Sequence, residues 1–141
     1  MSTDALQHDV DATNFGYAKG VIPGMAVSTF IADEGLIKTA EEACHKACPD
    51  IEVFKGRVVS GDIFVSDKAV KNSIAETFHG YCTEMEGAAI AQAAYLNNIP
   101  FLIIRAISDK ADDSATMDYG EFERKAIDNS VAMLCEMLDT I

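Results

Sequence analysis

The segment CTEMEGAAIAQAAYLNNIPFLIIRAISD, Cys82–Asp109, decides the fold. Its centre, GAAIAQAAYLNN, is rich in alanine and reads as a helix thin enough to pack closely against its neighbour. The residues before it, GYCTEM, read as a short strand. The residues after it, PFLIIRAIS, form a continuous apolar run of β-branched and aromatic side chains. Such a run marks a strand buried on both faces. Strand, helix, strand in this order is the repeating unit of a parallel sheet.

Working outward, the same alternation continues. Asp33 is a good helix N-cap, and Leu36, Ile37, Ala40, Ala43, Cys44 and Ala47 follow at helical spacing until Pro49 closes the element. IEVFKGRVVSGDIFV (51–65) reads as strand material interrupted by Gly61-Asp62. SDKAVKNSIAETF (66–78) reads as a helix capped by Ser66 or Asp67, with Val70, Ile74 and Phe78 turned inward. Residues 119–139 read as a long helix with Phe122, Ala126, Ser130, Met133, Leu134, Met137 and Leu138 on its inner stripe. The first 24 residues, with their glycines and a proline, read as an ordered loop with short strands. The expected fold is therefore α/β: a mostly parallel or mixed central sheet flanked by helices, within one domain over residues 1–141.

Composition limits the partners. The chain of 141 residues carries 23 acidic residues against 11 Lys plus Arg, a formal charge of −12. Nucleic acid and anionic membranes demand a cationic face, so neither is an expected partner. No stretch reaches the roughly 18 apolar residues that a spanning helix needs, and the N-terminus lacks the pattern of a secretory signal. The chain reads as soluble and cytoplasmic. Cys44 and Cys48, spaced i, i+4, lack the further ligands that a metal site wants. The four cysteines read as small apolar residues in a reducing compartment, and no metal or organic cofactor is expected.

In sheets of this class ligands sit beyond the carboxyl ends of the strands. Here those ends read SGDIF, EME and RAISD, so Asp62, Glu84, Glu86 and Asp109 all converge there. With Arg105 the only basic residue nearby and no glycine-rich phosphate loop, the cluster does not suit phosphate. An ionised carboxylate does accept two hydrogen bonds from a vicinal diol such as that of a ribose, and Glu86 is the candidate. Asp109, beside Ser108 at the end of a buried strand, can have its pKa raised and act as an acid. Phe64 can stack on a flat heterocycle, and Met85 can lie against a sugar face. Simpler readings stand beside these. Glu84 and Glu86 suit the positive end of a helix, Asp109 suits a cap, Phe64 suits a core, and Arg105 suits an ion pair with Glu84. His8 and His79 fall in no catalytic pattern.

The stretches HDVDATNFGY, IPG, VVSGDIFV and TEMEGAAIAQAAYLNNIPFLIIRAISDKAD together resemble the bacterial 5′-methylthioadenosine/S-adenosylhomocysteine nucleosidases of the nucleoside phosphorylase superfamily. The resemblance implies hydrolysis of an N-glycosidic bond with release of adenine. Asp109 then matches the acid at the adenine imidazole nitrogen, and Ser108 the residue that holds it. Glu86 matches the carboxylate on the ribose hydroxyls and Met85 its neighbour. Phe64 matches the adenine-stacking ring, and Val65 the residue whose main chain reads the base edge. Glu84 and Arg105 match supporting positions, and Tyr119 a lid over the 5′-substituent. The family is homodimeric, and Phe15 and Pro23 match residues that wall the neighbouring subunit's pocket. The resemblance covers the C-terminal portion of a family protein. The first strands, a water-activating glutamate and a glycine-rich loop belong to a portion that this chain does not match. The chain alone is therefore expected to be weak in hydrolysis, since losing a positioned base removes about 10² to 10⁴ in rate. It is also expected to expose a sheet edge. Two alternatives remain open: phosphorolysis of the purine nucleoside phosphorylase type, and an incomplete fragment that only dimerises or binds nucleoside.

Overall fold

The computed structural model describes residues 1–107 and 119–140. Its sheet has four strands in the order β2-β1-β3-β4: β1 Ser2–Gln7, β2 Phe30–Ile31, β3 Gly56–Ser60 and β4 Cys82–Glu84. β1, β3 and β4 run parallel, and the short β2 pairs antiparallel with β1. The helices are α1 Glu34–Ala47, α2 Lys68–Phe78, α3 Gly87–Leu96 and α4 Tyr119–Leu138. The result is a mixed α/β fold with an open sheet, as the alternation of patterns predicts.

The period of two along each strand sorts the helices between the faces. Ala5, Val58 and Ile103 turn towards Ala88 and Ala91 of α3, with Phe30 completing that cluster. Their neighbours Leu6 and Val59 turn the other way and meet Phe78 of α2. Leu102 and Ile104 flank Ile103 and pack with Met133 and Met137 of α4 and Ala40, Ala43 and Cys44 of α1. α3 thus covers one face, and the other helices cover the opposite one. The alanines of α3 do what their size allows: Ala88 and Ala91 have no exposed surface, which places the helix backbone close to the sheet.

Four expectations need correction. The apolar run after Pro100 is not a strand of the sheet. Ile103 accepts a hydrogen bond from the Ser2 amide at 2.8 Å, but its own N–H goes to the Ser2 hydroxyl at 3.0 Å. A side chain occupies the place where a neighbouring strand's carbonyl would stand, and the ladder does not propagate. On α4, Leu134 and Leu138 are exposed, and the buried stripe passes through Met133 and Met137. On α2, Val70 faces outward while Phe78 is buried. Among the cysteines, Cys44 and Cys48 are buried, Cys82 is half-buried and Cys135 is exposed, so Cys135 is no core residue; all four are free thiols.

Candidate functional site

Because β1, β3 and β4 are parallel with Gln7 beside Ser60 and Ser60 beside Glu84, their carboxyl ends lie along one edge. Three segments leave that edge together: His8–Asp11, Gly61–Val65 and Met85–Gly87.

The centre is Glu84, the last residue of β4, whose side chain is only 4 % exposed. A buried carboxylate must be met by donors or it destabilises the fold. It accepts the Ser60 hydroxyl hydrogen. It accepts the Gly87 amide on both oxygens at 2.9 Å, and the Glu86 amide at 3.2 Å. Arg105 stands 3.7 Å from it. Gly87 is required beside this carboxylate. A Cβ there would lie 2.9 Å from Glu84 Oε1 and 2.9 Å from Ile103 Cδ1.

Arg105 also reaches Glu86, at 3.8 Å, so the guanidinium spans the two carboxylates and offsets part of their charge. The two glutamates differ sharply in exposure. The Glu86 side chain is 64 % exposed and makes no capping bond to α3, although Glu86 is its N-cap residue. Met85 beside it is half-exposed, at 41 %. An open carboxylate flanked by a thioether and tethered to a cation suits a neutral, hydroxylated ligand.

The Gly61–Val65 segment is anchored at its start. Gly61 donates to the Glu84 carbonyl at 3.1 Å, and the Asp62 amide donates to Asp9 Oδ2 at 2.7 Å. A Cβ on Gly61 would lie 2.5 Å from His8 Nε2, so only glycine lets the two segments touch. Phe64, further along, is 85 % exposed, which removes the core reading of this ring. Val65 is half-buried. On the far side of this segment a cleft of about 410 Å³ is lined by His8, Asp9, Asp11, Lys19 and residues of α2.

Phe15 and Pro23 are exposed on the loop after β1. Phe15 ends a 3-10 turn, Thr13–Phe15, whose start is held by Asp11 through the Thr13 amide at 3.0 Å and the Thr13 hydroxyl at 2.6 Å. The Thr13 hydroxyl bond, ahead of the amide bond, holds the Asp11 carboxyl below its usual pKa. Burial pushes the Cys82 thiol up, with Arg105 acting in the opposite direction. Ser108 and Asp109 lie outside the described residues, and Tyr119 begins α4. Among the described residues no group of three or more His, Cys, Asp or Glu can hold a metal ion, and no helix is long and apolar enough to cross a membrane.

Two residues at this edge escaped the sequence reading: Ser60 and Asp9. Each is polar and closes or follows a parallel strand, and that position was the available signal.

An α/β sheet with carboxylates at its strand ends is the class of fold in which small ligands generally sit beyond the carboxyl ends of the strands. The family comparison agrees and is more specific. The chain belongs to the Phosphorylase superfamily, matched over residues 1–139. It is 41 % identical to the 5′-methylthioadenosine/S-adenosylhomocysteine nucleosidase of Anoxybacillus flavithermus, with 100 % of this chain and 60 % of that protein covered. Among solved structures it is similar to the nucleosidase of that name from Neisseria meningitidis in complex with methylthio-immucillin-A. That match has a TM-score of 0.85 at 38 % identity over 99 % of this chain and 60 % of the other. It is also similar to the futalosine hydrolase of Helicobacter pylori, with a TM-score of 0.85 at 31 % identity over 99 % of this chain and 59 % of that one. The chain spans about 60 % of the length of the curated relatives it matches.

Proposed function

We propose that the chain serves hydrolysis of the N-glycosidic bond of 5′-methylthioadenosine and S-adenosylhomocysteine, supplying adenine-binding and ribose-binding residues and the acid. The observation that carries this reading is Glu86: an exposed carboxylate that accepts no amide of its own helix, at the carboxyl edge of the parallel strands, where open α/β sheets take their ligands. In this reading Glu86 accepts hydrogen bonds from the ribose hydroxyls, and Met85 lies against the sugar. Phe64 stacks on the adenine, and Val65 reads the base edge through its main chain. Asp109, held by Ser108, protonates or hydrogen-bonds the imidazole nitrogen of adenine. The C1′–N9 bond then breaks with its electron pair passing to the base, and the sugar carbon gains oxocarbenium character until water adds to it and releases a proton to solvent. A raised-pKa carboxyl assisting a leaving group is the same device that glycoside hydrolases use. Arg105 and Glu84 support the site, and Tyr119 lies over the 5′-substituent. Phe15 and Pro23, on their exposed loop, reach the neighbouring subunit's pocket in a homodimer.

The chain's likeness to a futalosine hydrolase leaves a second substrate for the same assays. The test is equilibrium binding of 5′-methylthioadenosine and of free adenine to the chain, joined to an assay of adenine release. Glu86→Ala should weaken nucleoside binding at least tenfold and leave adenine binding nearly unchanged, since a hydrogen bond to a charged group contributes about 1.5–3 kcal/mol. Asp109→Asn should lower adenine release by about 10² to 10⁴. Equal binding of nucleoside by Glu86→Ala and the native chain would defeat the ribose assignment. Full turnover by Asp109→Asn would defeat the acid.

A further inference from the structure

A helix leaves its first N–H groups without partners, and the N-cap side chain ordinarily accepts one of them. α1 and α2 follow this rule. Asp33 accepts the Leu36 amide, and Asp67 accepts the amides of Ala69 and Val70. α3 does not. Its N-cap residue is Glu86, and the Glu86 carboxylate accepts none of the helix amides. The work is done by side chains from two strands. Glu84 of β4 takes the amides of Glu86 and Gly87. Ser60, the last residue of β3, takes the Ala88 amide at 2.7 Å.

Ser60 has a further bond that makes the arrangement a unit. Its hydroxyl hydrogen goes to Glu84 Oε1, which leaves its lone pairs for Ala88. Its backbone carbonyl meanwhile accepts the His8 amide at 2.8 Å and stays in the sheet. The residue is 2 % exposed, so no solvent can replace these bonds. One hydroxyl therefore fixes the Glu84 carboxylate and the second residue of α3 with respect to β3.

From this we infer that Ser60 is a positioning residue for the ribose end of the site: it caps α3 from outside so that the Glu86 carboxylate is left for a vicinal diol. The inference rests on the ribose assignment of Glu86 and adds the residue that keeps that carboxylate free. Without the Ser60 hydroxyl, the Ala88 amide lacks its acceptor. Glu86 stands in the N-cap position, whose side chain ordinarily accepts the amide two residues on, and its carboxylate can turn back to take it. Ligand affinity then falls through competition for Glu86, although Ser60 never touches the ligand.

The experiment compares the native chain with Ser60→Ala and Ser60→Cys. It reads the affinities for 5′-methylthioadenosine and free adenine, and the hydrogen-exchange rate of the Ala88 amide. Ser60→Ala should bind the nucleoside about tenfold more weakly with adenine affinity within about twofold, and adding Glu86→Ala to it should make the Ala88 amide exchange at least tenfold faster. Ser60→Cys keeps the shape with only a weak donor and acceptor, so it should show the same pattern to a smaller degree even if the alanine variant folds poorly. An equal loss for both ligands, or an unchanged ratio, overturns the inference. So does an Ala88 amide that exchanges equally fast in Ser60→Ala with and without Glu86→Ala. Glu86→Ala separates this failure from that of the functional reading. If Glu86→Ala itself does not distinguish nucleoside from adenine, the ribose assignment has failed and takes the role of Ser60 at the ribose with it. If Glu86→Ala does distinguish them and Ser60→Ala does not, only the positioning role has failed.

Discussion

The starts of α2 and α3 solve one physical problem in opposite ways. At α2, Asp67 accepts two amides of its own helix, at 2.8 and 2.9 Å, and the element is closed on itself at an exposed position. At α3 the equivalent amides are taken by Ser60 and Glu84, which belong to the sheet. A self-capped helix can drift as a body without losing its cap. A helix capped by strands cannot, and its N-cap side chain is released for other use. Sheet ends that must present a carboxylate to a ligand gain from the second arrangement.

The largest expected effect that bears on this contrast is at Glu84. Glu84→Ala strips partners from the Ser60 hydroxyl, two amides and Arg105 at once, and should destabilise the chain by about 3 kcal/mol or more in denaturant unfolding. A cost below 1 kcal/mol would mean that the strands do not hold the helix. Next comes Gly87→Ala. The added methyl meets Glu84 and Ile103 at 2.9 Å, and overpacking of this kind costs about 1–3 kcal/mol. An exposed helix start would tolerate the same change, so a neutral result would erase the difference between α2 and α3. Asp67→Ala sharpens the other side. It should lower stability by about 1 kcal/mol and leave the ratio of nucleoside to adenine affinity unchanged, because that cap serves only its own helix.

The smallest effect concerns pH. The Lys55 ammonium donates to Glu41 on α1 at 2.7 Å, and this bond holds the Glu41 carboxyl below the usual glutamate range. Its folded pKa is depressed, so its contribution is present above the unfolded value and is lost as pH falls through the folded one. Lys55→Met should therefore lower Tm slightly at neutral pH and less at pH 3. An equal loss at both would assign the effect to packing of the lysine stem.

How far these features could be read in advance varies with what each depends on. The helices were legible because their periodic residues and caps lie within the element: Asp33 and Asp67 announce α1 and α2 locally. β3 and β4 were legible as apolar stretches, although β3 is confined to Gly56–Ser60. Hydrophobicity reports burial and not pairing, and for that reason the run from Phe101 was misread as a strand. Whether it joins the ladder is settled by Ser2, a residue about a hundred positions away. α4 carries apolar residues on more than one stripe, so its spacing alone could not choose Met133 and Met137 over Leu134 and Leu138. At the site, Glu86 and Phe64 are both exposed, a property that their sequence neighbours do not announce. Ser60 was invisible for the same reason as Ser2: its partners lie 24 and 28 residues along the chain.

The filled start of α3 has one more consequence. A helix N-terminus with free amides and a positive dipole end is a ready seat for phosphate. Here the amides of Glu86, Gly87 and Ala88 already face protein acceptors, and one of those acceptors, the Glu84 carboxylate, carries negative charge. An incoming phosphate would find the donors taken and a like charge beneath them. At this end of the sheet the protein has filled a helix N-terminus with its own side chains, and the proposed ligand group there, the hydroxyls of a sugar, is uncharged oxygen.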